Sequence, residues 1–136
     1  MLFKGLEISL TGMEAERIRM DIASSNLANA NSIDPETKQP YRRKVPVFET
    51  LLTSDGKVPL EEVRVKKIAY DNSPFREKYD PSSPLADKTG YVKLPNVDPV
   101  KEMVDMISAM RAYEANLTAF NTHKNMLTSS LEILRV

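Results

Sequence analysis

The residue types that usually carry chemistry are sparse in this chain. It has one histidine, His123, and no cysteine. No carboxylate or second histidine lies at ligand spacing from His123, so we interpret it as a helix-surface or interface residue. The four glycines are scattered, which excludes a phosphate-cradling loop. We therefore predict no catalytic residue, no metal-binding residue, no cofactor and no small-molecule substrate.

One short basic segment is a candidate for nucleic-acid recognition. Residues 41–45, the YRRKV segment, join an aromatic ring to three cations. However, nineteen Lys and Arg balance nineteen Asp and Glu, so no net field draws the chain onto nucleic acid or an anionic membrane. We therefore predict no nucleic-acid partner, and we favour a solvated strand edge or a salt bridge to another subunit for this segment.

Residues 24–32, SSNLANANS, concentrate amides where a predicted helix ends. A helix cap needs only one such residue. Asn26 and Asn29 lie three residues apart, and each amide offers two donors and an acceptor. We predict that they form a polar contact layer with a neighbouring subunit's C-terminal helix, at Asn116, Asn121 and Asn125.

The C-terminal segment carries the strongest periodic pattern. Asp98 and Pro99 form a helix start signal, and no Pro or Gly follows, so we predict a helix over 98–135. Steps of three and four residues connect ten positions, of which nine are apolar or aromatic, and we call a row with this spacing a seam. These positions are Met103, Met106, Met110, Tyr113, Leu117, Phe120, Lys124, Leu127, Leu131 and Leu134.

A second helix is predicted at the N-terminus, with two apolar stripes. One contains Phe3, Leu6, Leu10, Met13, Arg17, Met20, Ser24 and Leu27, and the other contains Ile8, Ala15, Ile18 and Ile22. Two stripes imply two neighbours, and a lone helix pair would leave Ile18, Ile22, Val100, Val104 and Ile107 partly wet. We therefore expect burial against other subunits.

Four residues on these helices allow two interpretations each. Arg17 and Lys124 either cover the seam with their stems while their charges reach water, or pair with carboxylates on another helix. Gly5 and Gly12 either permit close helix approach or are flexible points near a frayed end.

The middle of the chain has a different composition, because every proline except Pro99 lies between residues 31 and 96. Val45, Val47 and residues 63–70 favour short strands, SDG at 54–56 is typical of a turn, and residues 71–84 favour an extended loop. We predict a mainly α fold with a small β insert, in which long N- and C-terminal helices pair as an antiparallel coiled coil. The expected divisions are 1–31, 32–96 and 97–136.

Lys4 and Glu7 interrupt the first ten residues, so we expect no cleaved secretory signal and no membrane insertion.

Four motifs resemble those of the bacterial flagellar rod and hook proteins. Residues 5–32 contain the S-N-hydrophobic-A-N-A-N-S run, and residues 90–127 contain the N-V-x-x-V-x-E-M-V and R-A-Y-E-A-N cores. Residues 40–52 (PYRRKVPVFETLL) and 73–84 (SPFREKYDPSSP) match as well. Within the family, the short length argues against the longer distal-rod and hook proteins, and the middle motifs argue against the other short rod proteins. Together they favour one proximal-rod protein.

The resemblance implies a structural subunit, exported through the flagellar type III apparatus and stacked helically into a hollow periplasmic shaft. Its implied partners are other rod proteins and copies of itself. Another short rod protein, or a soluble helical adaptor, is the alternative. We expect the interface to contain Leu6, Leu10, Met13, Arg17, Met20, Asn26, Leu27, Asn29, Asn31, Met103, Ile107, Met110, Tyr113, Asn116, Leu117, Phe120, Asn121, Leu127 and Leu131.

Overall fold

The chain folds as a helix, a β-rich middle and a second helix, which confirms the predicted architecture. A computed structural model describes residues 2–54 and 59–135. The elements are α1 (Leu2–Ala28), β1 (Lys44–Ser54), β2 (Pro59–Tyr70), β3 (Arg76–Tyr79), β4 (Tyr91–Leu94) and α2 (Pro99–Leu134). Most of the predicted SDG turn, Asp55 and Gly56, lies outside the described residues.

The start signal of α2 acts as predicted. The Asp98 carboxylate accepts hydrogen bonds from the backbone N–H groups of Val100 (3.0 Å) and Lys101 (3.5 Å), and Pro99 occupies the first helical position. These bonds satisfy donors that have no partner inside the helix. The cap therefore fixes where α2 leaves the middle segment.

The middle segment forms two antiparallel ribbons. β1 and β2 pair from Lys44 with Tyr70 to Ser54 with Pro59, and the register shifts once, between Val47 and Phe48. These strands are longer than the sequence indicated.

The prediction of an extended loop at 71–84 is wrong in part, because β3 lies within it and pairs with β4. All four β3 residues are exposed, so no apolar alternation marks the strand. Its position depends on Arg76, which donates to the carbonyl oxygens of Pro95 and Ala30, each at 2.9 Å.

α1 and α2 pack antiparallel with a seven-residue repeat. Gly5 lies opposite His123, Gly12 lies opposite Asn116, and Asn26 hydrogen-bonds Glu102. Seven residues forward along α1 thus correspond to seven residues back along α2. The same step places Arg19 level with Ala109, and Arg19 indeed reaches the adjacent Ser108 hydroxyl at 3.4 Å.

Size complementarity fixes this register. A Cβ on Gly5 would lie 2.9 Å from His123 Nε2, and a Cβ on Gly12 would lie 2.9 Å from the amide atoms of Asn116. At the next seven-residue step the small residue lies on α2 instead of α1. It is Ala109, which is level with Arg19 and fully buried. Of the two interpretations of these glycines, close helix approach is therefore the correct one.

The predicted apolar seams are buried within the subunit only in part. On α1, Met13 and Ile22 are buried, so the expectation that Ile22 stays partly wet is wrong. On α2, Tyr113 and Phe120 are half-buried.

Met103, Met110 and Leu117 are 46%, 46% and 41% exposed, whereas Glu102 and Ala109, one position earlier in the repeat, are buried. Successive residues lie about 100° apart around a helix, so Met103, Met110 and Leu117 lie to the side of the contact. A cavity of about 350 Å³ between the helices is lined by Leu10, Met13, Glu14, Arg17 and Tyr113.

Ala109→Leu should destabilise the helix pair by about 1–3 kcal/mol, because the larger side chain has no space at the level of Arg19. Urea unfolding of the purified chain, followed by circular dichroism and tyrosine fluorescence, measures the change. Ala115→Leu is the matched control, since Ala115 is exposed on the same helix. Equal unfolding midpoints for the two variants would contradict the seven-residue register.

Candidate functional site

A buried carboxylate, Glu102, lies where α1 ends, β1 begins and α2 begins. Its side chain is 1% exposed although it lies in the first turn of α2. The Asp98 cap sets the rotation of this turn, and Glu102 consequently faces Asn26 on α1. A buried charge is tolerated only when it is paired and hydrogen-bonded, so the surrounding groups determine whether this site is stable. We call the residues around Glu102, namely Asn26, Tyr41, Arg43, Asp71 and Asn96, the junction.

Asn26 connects three elements with one amide. Its Nδ2 donates to Glu102 Oε2 at 3.1 Å and to the Lys44 carbonyl at 2.8 Å. Its Oδ1 accepts from the Tyr41 hydroxyl and the Lys44 N–H, both at 3.0 Å. The side chain, 1% exposed, therefore uses both donors and its acceptor inside its own chain.

Arg43 supplies the charge that Glu102 needs. Its Nε donates to Glu102 Oε1, while Nη1 lies 3.3 Å from Asp71 Oδ2 and Nη2 lies 3.5 Å from Asp105 Oδ2. Burial alone lowers the pKa of this guanidinium, but the hydrogen bonds and charges of Glu102 and Asp71 outweigh burial, and the pKa of Arg43 is raised. The guanidinium is thus a permanent cation beside a buried anion.

Asp71 is itself held as an anion. Hydrogen bonds from the Ser73 hydroxyl and backbone N–H, followed by Arg43, lower the pKa of its carboxyl. Asn96 adds a further link, since its Oδ1 accepts from the Arg43 N–H at 2.8 Å and its Nδ2 donates to the Asp71 carbonyl at 3.0 Å. The junction thereby joins β1 to the segment that leads into α2.

Apolar residues surround these polar groups. Val97 is fully buried directly before the α2 cap, and Ile22, Ala23, Ala30 and Val92 are each at most 6% exposed. The buried core therefore concentrates at this end of the helix pair, and Glu102 is shielded from water there.

The structure places the predicted interface residues at all levels of burial. Met13 and Asn26 are buried. Half-buried positions are Leu6, Met20, Leu27, Asn29, Tyr113, Asn116, Phe120 and Leu127. Exposed positions are Leu10, Arg17, Asn31, Met103, Ile107, Met110, Leu117, Asn121 and Leu131.

The interpretation of Asn26 as an outward contact is therefore corrected, because its hydrogen bonds are used within the subunit. Asn29 also bonds locally, donating to the Ser25 carbonyl at 2.8 Å and accepting from the Ser32 hydroxyl at 3.1 Å. Asn116 donates to the Ala112 carbonyl at 3.0 Å. The amides in these positions thus act mainly inside the chain.

The YRRKV segment also acts inside the chain, and neither of the favoured interpretations describes it. Arg43 pairs with acids of its own subunit, and the Arg42 guanidinium carbon lies 4.2 Å from the centroid of the Phe75 ring. The sequence marked this segment as unusual, but spacing alone could not reveal that its partners come from α1 and α2.

Other chemistry is absent from the described part of the chain. Within residues 2–54 and 59–135, no group of three or more His, Asp or Glu residues could hold a metal ion. Neither helix has the length and apolar character that a membrane crossing requires, again for the described residues. His123 packs against Gly5, and its Nδ1 is buried without a hydrogen-bond partner.

Comparison with known proteins identifies the family. Residues 6–32 match the family described as flagella basal body rod protein, and residues 88–133 match the C-terminal family of flagellar basal body rod FlgEFG proteins. The flagellar basal-body rod protein FlgC of Bacillus subtilis is 41% identical, over 96% of this chain and 97% of the relative. FlgC proteins of Borreliella burgdorferi (98% of both chains) and Aquifex aeolicus (96% of both chains) are 42% and 44% identical.

The chain belongs to the FlgC family of flagellar basal-body rod proteins. FlgC proteins are structural subunits of the rod and not enzymes. Three motifs that carry the resemblance meet at the junction. Asn26 comes from residues 5–32, Arg43 from residues 40–52, and Glu102 from the N-V-x-x-V-x-E-M-V core. In this chain the family motifs therefore form a buried network of hydrogen bonds and ion pairs that holds α1, α2 and the start of the hairpin together.

Asn26→Ala should destabilise the subunit by about 3 kcal/mol, because it leaves buried donors and acceptors at Tyr41, Lys44 and Glu102 without a partner. Asn29→Ala is the matched control and should cost less than about 1 kcal/mol, since Asn29 bonds only to its own helix end. The midpoints of urea unfolding compare them. Similar losses in both variants would contradict the junction.

Proposed function

We propose that this chain assembles helically, with copies of itself and other rod proteins, into the hollow periplasmic drive shaft of the flagellum. In this proposal α1 and α2 form a coiled coil that lines the inner tube, and the β-rich middle contacts the outer layer. The observation that carries the proposal is the amount of apolar surface left open on the helix pair of a chain related to FlgC over nearly its full length.

The open surface lies on both helices. On α1, Phe3 is 77% and Leu10 is 54% exposed, and on α2 Val100 and Val104 are 68% and 59% exposed. Each such side chain gains about 1.5–3 kcal/mol when it is fully buried. Neighbouring subunits are the natural source of that burial.

The two ends of the helix pair differ in a way that suits assembly. The junction end contains the buried core, whereas Leu131, Ile133 and Leu134 at the far end of α2 are 63–81% exposed. We propose that the junction and the β1–β2 hairpin are folded in the free subunit, while the terminal parts of both helices are largely disordered and fold on assembly. Disordered ends would also suit export through a narrow channel.

Transmission of torque requires stiffness and a fixed register. The close contacts of Gly5 and Gly12 with α2, together with the junction, prevent α1 from sliding along α2, so a load on one helix passes directly to the other. The absence of cysteine avoids unwanted cross-links in an oxidising periplasm.

Cryo-electron microscopy of basal bodies isolated from cells that carry a tagged copy tests the location. We expect density for the tag on the rod between the membranes. Basal bodies with a complete rod but no tagged chain would contradict the proposal and favour a soluble adaptor.

Far-UV circular dichroism of the dilute monomer tests folding on assembly. We expect clearly less helix than the 63 residues that α1 and α2 contain together, 27 in α1 and 36 in α2. A monomer that already contains both complete helices would contradict the proposed disorder of the ends.

A further inference from the structure

The hairpin of β1 and β2 exposes an apolar surface in its outer half. Phe48 and Leu52 lie on one face of β1, because side chains alternate along a strand and these two are four residues apart. Val63 lies opposite Thr50, midway between them, so it shares that face. All three apolar side chains are exposed. We call the surface formed by Phe48, Leu52 and Val63 the hairpin face.

The two sides of the hairpin differ in whether their charges are paired. Glu49, on the side away from the hairpin face, pairs with Arg64 and lies 3.4 Å from Lys66 Nζ. Glu61 lies opposite Leu52 and therefore on the hairpin face. It is exposed and makes no ion pair or hydrogen bond within residues 2–54 and 59–135. The hairpin face thus presents apolar side chains beside one carboxylate that lacks a partner.

α2 carries a complementary surface on the side away from α1. Ile107 lies two residues from the buried Ala109, which corresponds to about 160° around the helix. Val100 and Val104 precede Ile107 at helical spacing, and all three are exposed. An open cavity of about 350 Å³ is lined here by Val104, Ile107, Ser108 and Arg111. We call the surface formed by Val100, Val104, Ile107 and Arg111 the α2 stripe.

The α2 stripe ends in a cation without a partner. Arg111 is exposed and, in the part of the chain that the structure describes, makes no ion pair or hydrogen bond, even with Glu114 one turn further along. Among the described helices and strands, α2 packs only against α1. Apolar side chains next to an unpaired guanidinium favour an occupant that is apolar and carries a carboxylate.

We propose that the hairpin face of one copy of this chain packs on the α2 stripe of a second copy, with Glu61 paired to Arg111. The proposal rests on the rod function and names two surfaces that meet within the rod. Their lengths are comparable, because Phe48 to Leu52 spans about 13 Å along β1 and Val100 to Ile107 spans about 11 Å along α2. Each surface supplies the charge that the other lacks.

The contact suits a stack of identical subunits. The hairpin face and the α2 stripe lie on different elements and have no residue in common. Within one chain, β1, β2 and α2 each pack against α1, and neither strand packs against α2. The contact is therefore heterologous, so each copy offers one surface to the copy before it and the other to the copy after it, and the contact can repeat without closing.

Disulfide cross-linking tests the contact, because the native chain has no cysteine. Leu52→Cys marks the hairpin face and is combined with Ile107→Cys on the α2 stripe. The double variant replaces the native chain in cells, and basal bodies are purified, oxidised and analysed on non-reducing gels. We expect a disulfide-linked dimer of this chain for the pair and not for either single variant. Thr128→Cys is the matched control for Ile107→Cys and should give several-fold less dimer, because Thr128 is exposed but lies about 30 Å further along α2.

The outcomes separate this contact from the rod function. A chain that is absent from purified basal bodies overturns the rod function itself. A chain that is present but gives no dimer through Ile107→Cys, equal dimer through Thr128→Cys, or a cross-link only to another rod protein overturns the contact and leaves the rod function intact.

Charge exchange provides a second measurement that needs no cross-link. Arg111→Glu should reduce swimming motility several-fold, because it places two carboxylates at the contact, and Glu61→Arg in the same chain should restore it. Arg111→Lys keeps the charge and should swim normally. Undiminished motility in Arg111→Glu, or no recovery in the exchanged variant, would overturn the contact.

Discussion

The structure depends on the burial of one carboxylate. Glu102 is 1% exposed, and a charge removed from water costs several kcal/mol unless its partners are in place. Arg43 lies directly before β1 and Asn26 lies on α1, so the partners of Glu102 connect both helices to the start of the hairpin. One ion pair with its amide therefore couples the folding of three segments that are far apart in the sequence.

The helix register follows from this fixed point. From Asn26 and Glu102 the pairing proceeds in seven-residue steps through Gly12 and Asn116 to Gly5 and His123. Small and polar residues mark each level of this contact, and the exposed apolar residues Met103, Met110 and Leu117 lie to its side. The subunit thus combines a rigid inner contact with open apolar surfaces, and a structural subunit of a shaft needs both.

Local signals in the sequence were sufficient for the elements but not for their faces. The bounds of α2 could be predicted because Asp98 and Pro99 act within one turn. The presence of β1 and β2 could be predicted from their local apolar and β-branched content, but their full lengths could not. The face on which the helices pair could not be predicted, because a search for apolar repeats does not count the Gly, Asn and His residues that form it. β3 was not predicted because Arg76 positions it by hydrogen bonds to backbone carbonyls, and such bonds leave no periodic pattern in the sequence. The roles of Asn26 and Arg43 depend on partners at least 15 residues away.

Amide hydrogen exchange in Glu102→Gln tests the central claim that the buried carboxylate couples the helices to the hairpin. The substitution keeps the shape of the side chain and removes its charge. Exchange should accelerate by a similar factor at the Lys44 amide in β1, which donates to Asn26, and at the α1 amides around Asn26. Glu114→Gln, at an exposed position of α2, should leave both unchanged. Acceleration confined to α2, with the hairpin and α1 unaffected, would contradict the account.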